Sequence, residues 1–273
     1  MLKGCLEYRM RKYLIVIMIL MGICFNISCK DKGTTIINNV INQEVDVEDD
    51  IKLSNIEDVL VNTCEVVSNQ VVGICAKSSH ALINNPSYAS GVVIAKKNNT
   101  YYIVTNRHVI CKSKSVIYDD IKVYIGHLNI YFEANLVSYD VNTDLALLKI
   151  ETPVLLSVAK LGDSDNIKIG KYAICVGYPY EMEKYHNTVT IGHISYVERI
   201  IEENNLNDEL VESKYIQHDA AINIGSSGGG LFNLNGELVG INTFKIVGNS
   251  NIDGMSFSVP VNVLKEIFNS YLN

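Results

Sequence analysis

Residues 223–231 read NIGSSGGGL, two adjacent serines set among glycines. Such a run is an ordinary turn or linker in most chains. It is also a place where a serine can sit exposed beside converging backbone N–H groups. A serine hydroxyl is a weak nucleophile alone. Acyl transfer from an amide needs a base to take its proton, an acid to orient that base, and donors for the oxyanion. His108 lies in YYIVTNRHVI, at the end of an expected strand, while His80, His127, His186, His193 and His218 stand singly in other contexts. No HxH or HxxxH pair suggests a metal instead. Asp144, in SYDVNTDLALLKI, stands at the threshold of an unbroken apolar stretch. A partly buried carboxylate there wants a partner, and an imidazole N–H would satisfy it and fix the tautomer. Asp140 is its nearest competitor, farther from the apolar stretch. Taken singly, each residue has a bland alternative: a surface histidine, a turn aspartate, a linker serine.

The elements that must carry these residues read as strands. QVVGICAK, SGVVIAKK, TYYIVTN, KSVIYDDIKVYIG, IYFEANLVSYD and DLALLKI fill about 70–150. KYAICVGYP, NTVTIGHISYVER, KYIQHDAAI, GGLFNL, GELVGINTF and DGMSFSVP follow. Each is β-branched or aromatic and bounded by Asn, Gly, Asp or Lys, and LNGEL is an Asn-Gly hairpin signal. Two series of six strands without intervening helices predict an all-β fold of two antiparallel six-stranded barrels, about 66–152 and 153–260. A short helix is expected over about 55–66, where Ile56, Val59, Leu60 and Val67 recur at helical spacing and Ser54 with Glu57 form a capping box. A second helix is expected over about 261–272, packed back on the second barrel by its apolar stripe.

The order along the chain is His108, Asp144, Ser227. That is the order of the chymotrypsin-like barrels, unlike the α/β-hydrolases and subtilisins. The chain also resembles the HtrA (Deg) branch of those serine proteases. The matching pieces are TNRHVI, DLALLKI, LGDSDNIKIGKYAICVGYPY, TVTIGHISYVER, YIQHDAAINIGSSGGGLFNLNGELVGINT and MSFSVPVNVLKEI, in order over roughly 66–268. The family's Gly-Asn-Ser-Gly-Gly motif, laid on GSSGG, puts Ser227 on the nucleophile, and His108 and Asp144 on the base and acid. The resemblance implies an oxyanion hole from the N–H groups of Gly225 and Ser227, and close packing at Gly228 and Gly229. It implies a cleft between the barrels, protein or peptide substrates, no cofactor, and often a trimer assembled through the protease domain. Ala221, six residues before the nucleophile, falls at the base of the primary pocket. It bears no carboxylate, so Lys or Arg is not expected before the cut, and the resemblance implies small or medium aliphatic residues there. Asn242 to Phe244 and Ser256 to Ser258 are candidate walls.

Departures from the family pattern are Ser226 for the usual Asn, Gly230 for Pro or Ala, and Arg107 for a frequent Asn beside the histidine. The chain ends soon after the terminal helix, which leaves no room for the PDZ domain most relatives carry there, so regulation through one is not expected.

The chain has 273 residues, 48% hydrophobic, with formal charge −7. This suits one globular unit able to bury roughly 70% of its unfolded surface, and an acidic balance argues against nucleic acid as a partner. Lys3, Arg9, Arg11 and Lys12 precede the apolar run Tyr13 to Phe25. That pattern is an export signal, too short for a comfortable span. Ile27-Ser28-Cys29 then resembles a bacterial lipoprotein site, where Cys29 would carry the lipid and anchor the protein to a membrane. Residues 1–28 are thus expected as a signal, 29–53 as an acidic tether and 54–273 as the protease domain of a lipid-anchored envelope protein. Cys64, Cys75, Cys111 and Cys175 are scattered among apolar residues without CxxC spacing, which disfavours zinc and suggests buried free thiols.

The reading is therefore a serine endopeptidase acting on unfolded or damaged envelope proteins in quality control. The alternative is a catalytically latent binding protein, a holdase or surface adhesin, on the same scaffold. An esterase of the lipase type fails on residue order and on the absent α/β pattern.

Overall fold

The computed structural model describes residues 53–79, 86–113, 116–204, 209–245 and 253–272. The expected signal, Cys29 and all but the end of the tether lie outside the described residues.

Helix α1 (Leu53–Ser68) leads into sixteen strands, and α2 (Val261–Leu272) ends the chain's described part. The first helix already begins at Leu53, so Ser54 lies in its first turn and does not precede it. Strands β1 (Val71–Lys77), β2 (Ser87–Lys97), β3 (Thr100–Asn106), β6 (Asp120–Ile125), β7 (Ile130–Glu133), β8 (Asn135–Asp140) and β9 (Leu145–Glu151) form one sheet in the order β7-β6-β1-β2-β3-β9-β8. Seven strands are counted, but β7 and β8 are one extended segment broken only at Ala134. Its first half pairs with β6 and its second half with β9. That segment closes the sheet, and a closed sheet has no exposed edge. A small hairpin of β4 (Cys111–Ser113) and β5 (Val116–Ile117) stands apart.

The second sheet is built the same way from β11 (Tyr172–Gly177), β12 (Thr188–Asn204), β13 (Leu210–His218), β14 (Gly230–Phe232), β15 (Glu237–Lys245) and β16 (Ser256–Pro260). The pairing of β15 with β16 closes this ring of six. The two-residue β10 (Lys160–Leu161) adds in parallel to the outside of β15. The architecture is thus two antiparallel barrels of six strands each. The Asn-Gly turn joins β14 to β15, with Gly236 at φ 71° and the Asn233 side chain accepting from the N–H groups of Asn235 and Glu237.

The run LALLKI in β9 is apolar at nearly every position because both of its faces are buried. Alternate residues point to opposite faces of a strand. Ala146 and Leu148 fill the interior of the first barrel, beside Ile74, Ile103 and Val123. Leu145 and Leu147 face the second barrel and share a core with Val104, Ile174, Val176 and Phe232. This shared core holds the barrels together. Helix α2 adds Val261, Leu264 and Phe268 to it, and α1 adds Val67. The four cysteines are unpaired; Cys75 and Cys175 are buried, Cys64 and Cys111 partly so.

Candidate active site

His108 leaves the end of β3 in a single 3-10 turn, Arg107–Ile110. The neighbours Arg107, Val109 and Ile110 are buried, and His108 alone turns outward, its side chain 46% exposed. Asp144 is presented opposite it, immediately before β9, with φ 55°. An aspartate tolerates this left-handed geometry better than a bulkier residue. Asp140 shapes the turn: its Oδ1 accepts from the N–H groups of Asn142 and Thr143 and from the Thr143 hydroxyl. The competitor for the acid is thus engaged in building the loop that carries Asp144.

Asp144 grips one residue with both carboxylate oxygens. Its Oδ1 accepts from the His108 backbone N–H at 2.8 Å, and its Oδ2 lies 2.5 Å from Nδ1 of the ring. An ionised carboxylate has no proton to give. The bond therefore requires the proton on Nδ1 and leaves the Nε2 lone pair free as a base. The Asp144 carbonyl accepts from the Arg107 N–H at 2.8 Å and the Asn106 side-chain amide at 3.2 Å, fixing the same turn a second time. Desolvation pulls the pKa of His108 down, but the hydrogen bond and charge of Asp144 outweigh it and leave the pKa above its ordinary 6.5.

Ser227 is tied to this pair through Thr243 and Asn106. The Ser227 hydroxyl donates to the Thr243 carbonyl at 3.0 Å. The Thr243 hydroxyl accepts from the Asn106 amide at 3.2 Å, and that amide also reaches the Asp144 carbonyl. A hydroxyl has one proton, so Ser227 must release the Thr243 carbonyl before it can donate to His108.

The loop around Ser227 is two consecutive hydrogen-bonded turns. Ser226 N–H donates to the Asn223 carbonyl, and Gly229 N–H to the Ser226 carbonyl. Each turn has a glycine with positive φ at its third position, Gly225 at 94° and Gly228 at 83°. With only that position positive, both are type II turns, which require glycine there. At Gly228 a Cβ would also overlap the Ser90 carbonyl and the Thr105 hydroxyl.

These turns orient the two N–H groups that the sequence assigns to the oxyanion hole. In a trans peptide the N–H and C=O point in opposite directions. The Ile224 carbonyl is held by the Tyr180 N–H at 2.8 Å, and the Ser226 carbonyl by Gly229 at 3.0 Å. The Gly225 and Ser227 N–H groups therefore face the other way, and among the described residues neither finds a protein acceptor.

A recess of only about 10 Å³ adjoins the serine loop, lined by Ala221, Asn242, Thr190 and Ser226 among others. Ala221 and Asn242 thus meet at one site. Phe244 does not line it; its ring stacks on Phe257 at 5.1 Å and meets Tyr215 edge-on. Asn242 is held from behind, its Oδ1 accepting from Ser258 at 2.9 Å and Cys175 at 3.4 Å. His218 contacts Ser258 at 3.0 Å, and burial pushes its pKa down to about 4, so it is neutral at pH 7. Sequence reasoning assigned no role to Asn106 or the buried Ser90, and placed Thr243 only within a candidate pocket wall. Their signal was a polar residue at a position where the strand pattern calls for an apolar one.

The trypsin-like peptidase domain profile matches residues 89–241, and the chain belongs to that family. Its relatives there are of the HtrA type. It is 38% identical over 197 residues to the serine protease Do-like HtrA of Lactobacillus helveticus, covering 71% of this chain and 45% of the relative. It is 40% identical over 178 residues to the periplasmic serine endoprotease DegP of Salmonella typhimurium, covering 65% and 34%. The solved structure of the HtrA-type protease AlgW with a tripeptide superposes with a TM-score of 0.64 at 30% identity, covering 78% of this chain and 64% of that one. The chain thus spans about a third to a half of the length of these two sequence relatives.

The histidine–aspartate pairing makes a direct spectroscopic prediction. In an NMR titration the His108 ring should change charge with a midpoint above 6.5, because Asp144 stabilises the imidazolium. Asp144→Asn removes that charge and should lower the midpoint. A midpoint unmoved by the substitution would show that the pair is not coupled in solution.

Proposed function

We propose that the chain is a serine endopeptidase. Ser227 attacks the scissile carbonyl, and His108 Nε2 takes the hydroxyl proton. Asp144 holds the ring and stabilises the imidazolium. Oxygen of the tetrahedral intermediate takes the negative charge, and the Gly225 and Ser227 N–H groups donate to it. As the intermediate collapses, the C–N bond breaks and His108 passes its proton to the leaving amine. Water then attacks the acyl-enzyme by the same route, with His108 again as base, and frees Ser227. The observation that carries this reading is the grip of Asp144 on His108, which presents Nε2 as a base, with Asp144 and Ser227 joined across the seam residue by residue through Asn106 and Thr243.

The recess with Ala221 and Asn242 has room at rest for about one water, so a small or medium aliphatic side chain before the cut pushes its walls apart a little and a longer one would have to push them much further. Unfolded or damaged envelope proteins fit this preference, since they expose such residues without a defined partner surface. Relatives of this chain include a serine protease of the HtrA type and a periplasmic serine endoprotease, which supports both the chemistry and an exported location. A silent binding module is not favoured, because it would need neither the bidentate histidine–aspartate pairing nor two outward N–H groups. Assembly as a homotrimer through the protease domain belongs to the same reading.

Ser227→Ala should lower turnover of denatured casein by about 10⁶-fold, to the limit of detection, while binding persists. Turnover retained by the variant would remove Ser227 as nucleophile. For location, we propose lipidation of Cys29 after cleavage behind Ser28. Intact-mass analysis of protein from a bacterial host's membranes should show a chain beginning at Cys29 with added acyl mass. An unmodified chain starting elsewhere would refute the anchor.

A further inference from the structure

We propose that Ser90 is a positioning residue for the oxyanion turn, acting from the other barrel; this rests on the endopeptidase reading above. Ser90 lies on β2 and is fully buried. All of its polar groups are engaged. Its N–H donates to the Ser227 carbonyl at 2.9 Å, and its carbonyl accepts from the Thr105 hydroxyl at 2.7 Å. Its hydroxyl donates to the Gly225 carbonyl at 2.7 Å and accepts from the Tyr178 N–H at 2.8 Å. Three of these four bonds cross the seam into the second barrel.

The bond to Gly225 has the mechanical consequence. The peptide joining Gly225 to Ser226 lies between the two peptides whose N–H groups face the hole. Its N–H is bonded to the Asn223 carbonyl and its C=O to the Ser90 hydroxyl, so both edges of one rigid plane are pinned. The neighbouring peptide, Ile224 to Gly225, can reach its present direction only while Gly225 keeps φ near 94°. Were that peptide to flip, the Ile224 carbonyl would enter the hole and an acceptor would stand where a donor is required. Glycine permits both states. The Tyr180 N–H holds the Ile224 carbonyl out of the hole, and the Ser90 hydroxyl holds the plane between the two donors, from which the directions of both N–H groups are set. Ser90 touches no reacting atom; it acts through Gly225.

The test compares wild type with Ser90→Ala, with Thr63→Val as a control for stability. Thr63 is buried and donates to the Leu234 carbonyl at 2.9 Å, beneath α1 and apart from the site. Three quantities are read: kcat and KM on a peptide substrate, the Ki of a peptide aldehyde, and the Kd of the matching peptide alcohol. The aldehyde forms a hemiacetal with Ser227 whose oxygen occupies the hole, whereas the alcohol forms no adduct. For Ser90→Ala, kcat should fall about 10–100-fold, less than the 10²–10³ expected for loss of a donor itself. KM should stay within about threefold, and the aldehyde should weaken by the same factor as kcat. Affinity for the alcohol should hold. Thr63→Val should lower the melting temperature without changing kcat. If Ser90→Ala does not fold, Ser90→Cys, with a weaker donor, should show the same split at smaller amplitude. Normal kcat and aldehyde affinity in these variants would overturn the role of Ser90 alone, as would equal weakening of aldehyde and alcohol. A wild type that neither cleaves nor binds the aldehyde would overturn the endopeptidase reading and this assignment with it.

Discussion

The site depends first on a carboxylate that holds one histidine by two handles. Asp144 accepts from both the backbone and the ring of His108, so ring position and tautomer are set by a single residue. Either bond alone would leave a free rotation. The cost is a carboxylate that is only 23% exposed, and its partners compensate for the lost water. The loop closed by Asp140 and the left-handed backbone at Asp144 both serve this one presentation.

The second constraint is that Ser227 and His108 belong to different barrels. Side chains on separate sheets drift relative to one another unless the seam is stiff. Here the seam is an apolar core of Val104, Leu145, Leu147, Ile174, Val176 and Phe232, crossed by directional bonds. Apolar packing fixes the distance between barrels but tolerates sliding; hydrogen bonds from Asn106 to Thr243 and from Ser90 to Ser227 fix the register. Such buried bonds carry a penalty of about 1–3 kcal/mol when one partner is removed. That makes the aligned seam a defined state rather than one of several. The bond of the Ser227 hydroxyl to Thr243 and the narrow recess beside it leave two small movements for substrate to induce.

Much of this was legible in the sequence, for identifiable reasons. The strand runs were clear because β9 and its neighbours are buried on both faces, and the chain order of three residues agreed with that fold. Asp144 could be chosen over Asp140 because it abuts the apolar run that the seam requires. The Gly-Ser loop could be oriented through its resemblance to the family's serine motif, and the positive φ of Gly225 and Gly228 is what those glycines supply. What stayed hidden depends on contacts across the seam. Nothing in the spacing of SGVVIAKK reveals that its first residue clamps a turn 135 positions later. Phe244 sits next to Thr243 and was a natural candidate for the pocket wall, yet its ring turns away to Phe257 and Tyr215. Side-chain direction after a bulge is set by pairing with β16, where the register shifts between Asn242 and Phe244.

The central claim is that base, acid and donors converge on one of two adjacent serines. The most direct measurement is to treat the wild-type protein with a fluorophosphonate, digest it, and sequence the modified peptide by tandem mass spectrometry. The account predicts a single stoichiometric adduct on Ser227, formed at a rate that rises with pH as His108 loses its proton. An adduct on Ser226, or no adduct under conditions where the protein cleaves peptide, would contradict it.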